Sequence, residues 1–263
     1  MRIALLQITS GADKIANLEL VREAATDAAR QGARLLVFPE ATSQAFGTGR
    51  LDPQAEDLDS GEFATAVKQL AEDLGVVIVA GMFTTADTVE RDDKTINRVH
   101  NTALITGAGL HEGYRKINTY DAFGYRESDT VKPGTESHLF ELDGVKIGVA
   151  ICYDLRFPQH FQDLARAGAQ IIVVPTSWQD GEGKREQLQV LSQARALDST
   201  SWVLMCDQAR PTEERKGPAG IGHSAVIDPT GVIIAGAGYE PETIIADVDL
   251  SGLEKIRESI PVL

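Results

Sequence analysis

Cysteine is scarce in this sequence, which has only Cys152 and Cys206 among its 263 residues. Neither cysteine belongs to a C-x-x-C pair or lies near a cluster of histidines, so the common zinc-binding patterns are excluded. The five histidines are scattered along the chain, and no pair has the spacing of a zinc-binding helix. The sequence therefore predicts no metal site, and its few unpaired thiols favour a reducing, cytoplasmic location.

Long apolar runs and an excess of basic residues are also absent. No segment approaches the ~20 apolar residues of a membrane span, and the short apolar stretch at the N-terminus lacks the features of a signal peptide. Lys and Arg total 25 against 39 Asp and Glu, a formal net charge of −14. A field of this sign repels polyphosphates and anionic membranes. We expect a soluble protein that binds neither nucleic acid nor membranes.

The sequence does contain short apolar runs rich in Val and Ile, which are typical of strands buried on both faces. They lie at residues 3–8, 35–38, 76–80, 145–151, 171–174, 202–205 and 244–248. Stretches with helical spacing separate some of them, and two of these predicted helices are followed by Gly32 and Gly75, as left-handed C-caps require. Strands that alternate with helices predict an α/β layered domain.

An internal similarity links the two parts of the chain. Residues 32–40 read GARLLVFPE and residues 168–176 read GAQIIVVPT. Each block follows a helix that itself follows a strand, so we predict two related β-α-β halves; chance similarity between apolar strands is the alternative. The polar stretches 90–94 and 212–216 are too short for linkers and are interpreted as surface loops. A single domain over residues 1–263 is predicted.

Cys152 lies where a buried strand gives way to a polar turn, and Pro158 can begin the next helix. This turn would lie at the carboxyl edge of a sheet, where α/β proteins bind ligands. Backbone amides at such a turn favour a thiolate and a developing oxyanion. Taken alone, a cysteine at such a position is more often an inert buried residue than a nucleophile.

Glu40 and Lys116 follow two other predicted strands. Glu40 comes after four apolar residues and a proline, and burial there would raise its pKa and allow it to carry a proton near neutrality. The alternative is a carboxylate that caps a loop or helix. Lys116 follows a predicted hairpin of residues 101–106 and 110–115, a position where lysine is usually a solvated edge residue. The combination of all three residues indicates a catalytic site.

The sequence resembles the nitrilase superfamily of carbon-nitrogen hydrolases over essentially its whole length. The segments that carry the resemblance are FPE at 38–40, YRK at 114–116, CYDLRFP at 152–158 and GHS at 222–224 followed by VIDPTG at 226–231. The resemblance places a Glu-Lys-Cys triad on Glu40, Lys116 and Cys152. It implies that Glu127 is the second glutamate that helps to hold the lysine, and that the backbone N–H of Tyr153 stabilises the oxyanion.

Within the superfamily, residues 116–123 and 152–158 look most like the branch of omega-amidases and deaminated glutathione amidases. Tyr153 and Asp154 stand where authentic nitrilases more often carry Trp and Glu, so an amide substrate is expected rather than a nitrile. One departure is Asn118, where the branch commonly has His. The resemblance further implies a four-layer α-β-β-α sandwich, chemistry without any cofactor, and a homodimer.

Substrate contacts are predicted around the same turn. Arg156 lies four residues after the nucleophile and could hold a substrate carboxylate in a bidentate pair; an ion pair with Asp154 is the alternative. The other candidate pocket residues are Tyr120, Phe123, Thr176, Ser177 and Trp178, although a core role is equally compatible with the aromatic ones. The predicted substrate is a small carboxylate-bearing amide of the deaminated glutathione or 2-oxo acid amide type.

Two other functions stay open at this point. An aliphatic amidase or N-carbamoyl amine hydrolase of the same superfamily would be favoured by a pocket in which Arg156 binds no carboxylate. A non-catalytic binding or scaffold protein could keep the fold, although the intact triad argues against it. A serine hydrolase is disfavoured because GHSAV at 222–226 lacks the final glycine of the nucleophile elbow.

Overall fold

The computed structural model describes residues 1–91, 93–122, 125–213, 215 and 217–263. Its strands are β1 (Arg2–Gln7), β2 (Leu35–Val37), β3 (Val77–Arg91), β4 (Lys94–Gly107), β5 (Leu110–Arg115), β6 (Asp121–Ala122), β7 (Tyr125–Arg126), β8 (His138–Leu142), β9 (Val145–Val149), β10 (Ile171–Thr176), β11 (Trp202–Asp207), β12 (Ala225–Ile227), β13 (Ile233–Gly236) and β14 (Glu242–Asp247). Its α-helices are α1 (Lys14–Arg30), α2 (Glu62–Leu74), α3 (Pro158–Arg166), α4 (Lys184–Ser199) and α5 (Leu253–Ser259). Short 3-10 helices span Asp52–Gln54, Glu127–Asp129 and Cys152–Arg156.

The strands form two six-stranded mixed sheets, in which the three parallel strands have equivalent connections. The first has the order β14-β1-β2-β3-β4-β5 and the second the order β13-β12-β11-β10-β9-β8, while β6 and β7 form a small hairpin. In the first sheet β1 and β2 are parallel and joined by α1, and in the second β9 and β10 are parallel and joined by α3. The predicted pair of β-α-β halves is confirmed, because the two similar sequence blocks form β2 and β10.

The sheets pack face to face between two layers of helices. Along β1, Ala4 and Leu6 point to a cluster that includes α1 and α2, whereas Ile3 and Leu5 point to the second sheet. This alternation follows from the two-residue period of a strand. Helices α3 and α4 contact the second sheet on its outer side. The four-layer α-β-β-α sandwich is thus confirmed, and burial on both faces explains why the strands read as continuous apolar runs.

The helix ends are also as the sequence predicts. Gly75 is the C-cap of α2 with a φ of 65°, and Gly32, just after α1, has a φ of 84°. Both values lie in the left-handed region that glycine adopts without steric cost. Pro158 is the first residue of α3, where the missing N–H is tolerated. In the part of the chain that the structure describes, no helix is both long and apolar enough to cross a membrane.

The surface loop predicted at 90–94 is too long. Strands β3 and β4 extend far beyond their apolar parts, to Arg91 and from Lys94, so Glu90, Arg91 and Lys94 belong to strands, while Asp93 lies in a turn. The outer half of the hairpin is polar and largely exposed. Backbone pairing and polar side-chain contacts such as Arg98 to Asp87 extend it there, which leaves no apolar pattern to detect. The second predicted loop, 212–216, includes two residues, at 214 and 216, outside the described part of the chain.

Candidate active site

The three residues of the predicted triad meet where strands of both sheets end. Glu40 follows β2, Lys116 directly follows β5, and Cys152 begins the 3-10 helix that separates β9 from α3. Their exposed fractions are 1%, 4% and 7%. Burial to this degree is rare for Glu and Lys unless they are paired. The structure therefore brings together a carboxyl group, an amine and a thiol that are all shielded from solvent.

Lys116 lies between two carboxylates. Its Nζ is 3.3 Å from Oε1 of Glu40 and 2.9 Å and 3.1 Å from the two carboxylate oxygens of Glu127. The backbone N–H of Tyr120 also donates a hydrogen bond to Oε2 of Glu127, at 2.7 Å. Glu127 is thus fixed from two sides, and it fixes the lysine in turn. This is the place that the family resemblance implies for the second glutamate.

Glu40 is held by partners that the sequence did not reveal. The side-chain amide of Asn101 donates to Oε1 at 2.7 Å, and the amide of Gln208 donates to the main-chain oxygen of Glu40 at 3.0 Å. The other carboxylate oxygen, Oε2, accepts no hydrogen bond from the residues that the structure describes. One oxygen is therefore used for positioning, and the other is available for a proton.

Burial and neighbouring charges determine the protonation of the site. Burial raises the pKa of Glu40, and Lys116 only partly opposes it. Burial and the Glu40 charge raise the pKa of the Cys152 thiol well above its usual range. Burial disfavours the charged form of Lys116, but Glu127 and Glu40 outweigh this effect and hold its pKa well above the usual value. A neutral thiol thus lies beside a raised-pKa carboxylate and a permanent cation, which suits general-base activation of a nucleophile.

The backbone at Cys152 has an uncommon conformation. Its φ is 44°, in the left-handed region that residues with a side chain rarely occupy. Asp154 stabilises this turn: its Oδ2 accepts the N–H of Ile151 and the hydroxyl of Tyr114, both at 2.8 Å. The backbone thereby turns away from the direction of β9 at Cys152, and the thiol lies at the edge of the sheet.

Asp154 also connects the turn at Cys152 to the segment after Lys116. Its Oδ1 accepts the backbone N–H of Asn118 at 3.1 Å and the side-chain amide of Asn118 at 2.8 Å. With these partners Asp154 forms no ion pair with Arg156 among the described residues. Asn118, a departure from the branch's usual His, thus links the segment that follows Lys116 to the turn at Cys152.

A cavity of about 330 Å³ opens above the triad. It is lined by Glu40, Phe46, Lys116, Tyr120, Glu127, Cys152, Tyr153, Arg156, Ser177, Trp178, Gln179, Lys184, Gly217 and Pro218. The predicted pocket residues Tyr120, Arg156, Ser177 and Trp178 are therefore in this wall. Thr176 is not: it is fully buried behind the wall, with its hydroxyl 3.5 Å from the sulfur of Met205. Phe123 lies outside the described residues.

Two cations line the cavity beside Trp178. The guanidinium carbon of Arg156 lies 5.3 Å from the centre of the Trp178 ring, and Nη2 donates to the side chain of Gln187 at 2.7 Å. The indole N–H of Trp178 donates to the main-chain oxygen of Lys184 at 3.1 Å. The sequence analysis missed Lys184, since its only signal was the glycine-rich stretch just before α4. Arg156 and Lys184 together give this wall a positive charge.

Comparison with known proteins identifies the family of the chain. The carbon-nitrogen hydrolase family model matches residues 2–258. The hydrolase Rv0480c of Mycobacterium tuberculosis is 44% identical, over 100% of this chain and 94% of its own length. Omega-amidase NIT2-B of Xenopus laevis is 32% identical, over 99% and 93%.

Solved structures give the same result. Nit3 of Saccharomyces cerevisiae, a member of branch 10 of the nitrilase superfamily, superposes with a TM-score of 0.85 at 27% identity, covering 100% of this chain and 94% of that one. An amidase from Nesterenkonia sp. has a TM-score of 0.80 at 25% identity, covering 99% and 95%. The chain therefore belongs to the carbon-nitrogen hydrolase family, in the omega-amidase branch of the nitrilase superfamily, and is an amidase-type enzyme that hydrolyses carbon-nitrogen bonds.

Proposed function

We propose that this enzyme hydrolyses the carboxamide of a small, carboxylate-bearing molecule through a thioester on Cys152. The observation that carries the proposal is a buried triad beneath a cavity whose wall presents Arg156 and Lys184. The triad supplies the chemistry, and the two cations supply the preference for an anion. Relatives named omega-amidases support this class of substrate.

The first half of the reaction forms the thioester. The Oε2 atom of Glu40 accepts the thiol proton while the sulfur of Cys152 attacks the amide carbon. The carbonyl electron pair moves to oxygen, where the Lys116 ammonium and the backbone N–H of Tyr153 stabilise the charge. The carbon-nitrogen bond then breaks, and Glu40 returns its proton to the nitrogen, which leaves as ammonia.

The second half releases the acid. Water attacks the thioester carbon, and Glu40 takes one of its protons. The same oxyanion contacts stabilise the second tetrahedral intermediate. The carbon-sulfur bond breaks, Glu40 reprotonates the sulfur of Cys152, and the carboxylic acid leaves. One water is consumed for each amide, and the side chains return to their starting protonation.

The charge of the cavity supports an anionic substrate. The whole chain carries a formal net charge of −14, which would repel a carboxylate at most of the surface. Arg156 is half-buried in the cavity wall, and a guanidinium can hold a carboxylate through two hydrogen bonds. The volume of about 330 Å³ is at the small end of ligand pockets, which suits a short 2-oxo acid amide or a small peptide-like amide.

The test is turnover of an amide panel that includes 2-oxoglutaramate, deaminated glutathione and neutral aliphatic amides. Ammonia and acid release would be measured for the wild type, for Cys152→Ala and for Cys206→Ala. Cys206 is a buried thiol in β11 that does not line the cavity, so it is the matched control. We expect turnover of the anionic amides to vanish in Cys152→Ala and to persist in Cys206→Ala.

The thioester is tested separately by mass spectrometry of the quenched reaction. An adduct with the mass of the acyl group on the peptide containing Cys152 is expected during turnover. Turnover without any acyl adduct, and without capture of the acyl group by added hydroxylamine, would exclude the covalent route. Turnover confined to neutral amides or carbamoyl compounds would favour the alternative substrates, and a fully inactive wild type would favour a scaffold role.

A homodimer and a cytoplasmic location stay predictions. Val190 and Leu197 lie seven residues apart on α4, so they share one face of the helix, and they are 63% and 41% exposed. Burying this face against a second copy would remove apolar surface from water. Analytical ultracentrifugation of the wild type and of Val190→Glu would decide: a dimer that the glutamate dissociates is expected, and a monomeric wild type would contradict it.

A further inference from the structure

Asp207 is a fully buried carboxylate close to the catalytic residues that the proposed reaction does not use. It is the last residue of β11. Its Oδ1 accepts the backbone N–H of Trp178 at 2.8 Å, and its Oδ2 accepts the backbone N–H of Ile221 at 2.8 Å. A buried carboxylate is costly unless such donors compensate it. These two hydrogen bonds indicate that Asp207 positions the backbone at Trp178 and at Ile221.

The peptide group between Ser177 and Trp178 forms hydrogen bonds on both of its sides. Its N–H donates to Asp207, and its carbonyl oxygen accepts the thiol of Cys152, with the sulfur 3.8 Å away. A peptide unit is planar, with its N–H and C=O pointing in opposite directions. Fixing the direction of the N–H therefore fixes the direction of the carbonyl. Through this plane the Asp207 carboxylate determines which acceptor the thiol meets.

The same residues hold the segment 217–222, of which Gly217 and Pro218 line the cavity. The hydroxyl of Ser177 donates to the main-chain oxygen of Pro218 at 2.7 Å, and the N–H of Gly220 donates to the main-chain oxygen of Trp178 at 3.0 Å. The bond from Ile221 to Asp207 completes this set. Asp207 is thus the common acceptor that joins the peptide beside Cys152 to the segment 217–222.

We infer that Asp207 is a positioning residue: by accepting the Trp178 N–H, it orients the Ser177 carbonyl that holds the Cys152 thiol. A carbonyl that accepts a thiol proton stabilises the neutral thiol over the thiolate. Loss of this acceptor is therefore expected to lower the pH at which Cys152 becomes a thiolate. The charged groups that act on this thiol are Glu40, Lys116 and Asp207 itself.

The experiment measures two properties of the intact protein that need no substrate. One is the hydrogen exchange rate of the Trp178 amide, and the other is the pH profile of Cys152 alkylation by iodoacetamide, followed by mass spectrometry. The variants are Asp207→Ala and Asp207→Asn. Val203→Ala, which removes buried methyl groups near the other end of β11, is the matched control for a general loosening of the strand.

In Asp207→Ala we expect the Trp178 amide to exchange about tenfold faster or more, a factor equivalent to about 1.4 kcal/mol, and the alkylation profile to move to lower pH. Val203→Ala should change neither. An unchanged alkylation profile despite a deprotected Trp178 amide would overturn the inference. Equal shifts in Val203→Ala would overturn it too, because any loosening of the strand would then suffice.

The asparagine variant separates orientation from charge and decides the question if Asp207→Ala does not fold. Asparagine keeps one accepting oxygen and removes the negative charge. If the Trp178 amide stays protected, the alkylation profile should stay that of the wild type; if protection is lost, the profile should move with it. A shifted alkylation profile with a protected Trp178 amide would contradict the inference, because Asp207 would then act through its charge alone. An unshifted profile with a deprotected Trp178 amide would also contradict it.

Discussion

The Nζ atom of Lys116 lies 2.9 Å from Oε1 and 3.1 Å from Oε2 of Glu127, so both oxygens of this carboxylate contact the ammonium. The contact to Glu40, at 3.3 Å, is longer and involves one oxygen. Glu127 is therefore the nearer counter-ion of the lysine. This arrangement leaves Glu40 free to change its protonation during the reaction without the lysine losing its partner.

Glu127→Gln is expected to lower kcat by about a hundredfold or more, the scale of losing one oxyanion donor. Glutamine has nearly the same shape, but its amide cannot attract the ammonium with a full charge. Lys116 would then pair with Glu40 and hold the proton shuttle in its charged form. Steady-state kinetics check this, with the exposed Glu141→Gln as control; near-normal kcat in Glu127→Gln would show that the lysine needs no second carboxylate.

Arg156→Gln is expected to raise KM for a carboxylate-bearing amide by roughly tenfold to a hundredfold, because charge-assisted hydrogen bonds contribute about 1.5–3 kcal/mol. KM for a neutral amide should change little. The exposed Arg166→Gln in α3 is the charge-matched control. Equal effects on both classes of substrate would indicate that Arg156 only supports the Trp178 ring and does not bind the substrate.

The sequence predicts much of the fold because both sheets are buried on two faces. Runs such as residues 171–174 then stand out without any structural information, and Gly75 marks a helix end that only glycine adopts readily. Glu40 and Cys152 are recognisable for the same reason: each is a reactive side chain directly after such a run. Lys116 and Glu127 gain their meaning only from the family motifs.

Other site residues could not be predicted, because their roles depend on contacts between distant segments. Asn101 lies inside a strand, and nothing local shows that its amide reaches Glu40. Lys184 reaches the cavity through the packing of α4. Asp207 reads as an ordinary strand end until the fold places Trp178 and Ile221 beside it. These contacts join residues 61, 29 and 14 positions apart, and such separations follow no spacing rule in the sequence.

Gly81→Ala is expected to disturb Glu40 from the strand beside it. A Cβ at this position would lie 2.4 Å from the backbone N of Ala41 and 2.6 Å from Cα of Glu40. The backbone cannot yield as a flexible side chain does, so we expect about 1–3 kcal/mol of destabilisation and a larger proportional loss of kcat. Urea unfolding and kinetics measure both.

Gly252→Ala is the control for this substitution, since nothing lies within 4 Å of a Cβ at that position. It should leave stability and kcat nearly unchanged. If Gly81→Ala were as stable and as active as the wild type, the close approach of β3 to the Glu40 turn would have no part in holding the base.

The raised pKa of Asp207 also makes the free energy of unfolding depend on pH. Burial raises its pKa from 3.8 to about 7, and Glu40 adds to the effect. The folded protein then binds a proton more tightly than the unfolded chain does, so stability from this group is present below 3.8 and is lost as pH rises to about 7. In Asp207→Asn this loss should be absent. Between pH 3.8 and about 7, the free energy of unfolding of the variant should therefore fall less than that of the wild type. Parallel curves for wild type and variant would contradict the raised pKa.

The pairing of β1 with β14 makes the first sheet depend on the last part of the chain. The register runs from Gln7 opposite Glu242 to Arg2 opposite Asp247, so one edge of β1 is not fully paired until residue 247 has been synthesised. The carboxamide of Gln208 likewise reaches Glu40 across 168 residues. A ribosome-bound fragment that already contains Glu40, Lys116 and Cys152 therefore still lacks the completed sheet and the support of its base. Nascent chains should therefore stay enzymatically silent until β14 has been synthesised and has paired with β1.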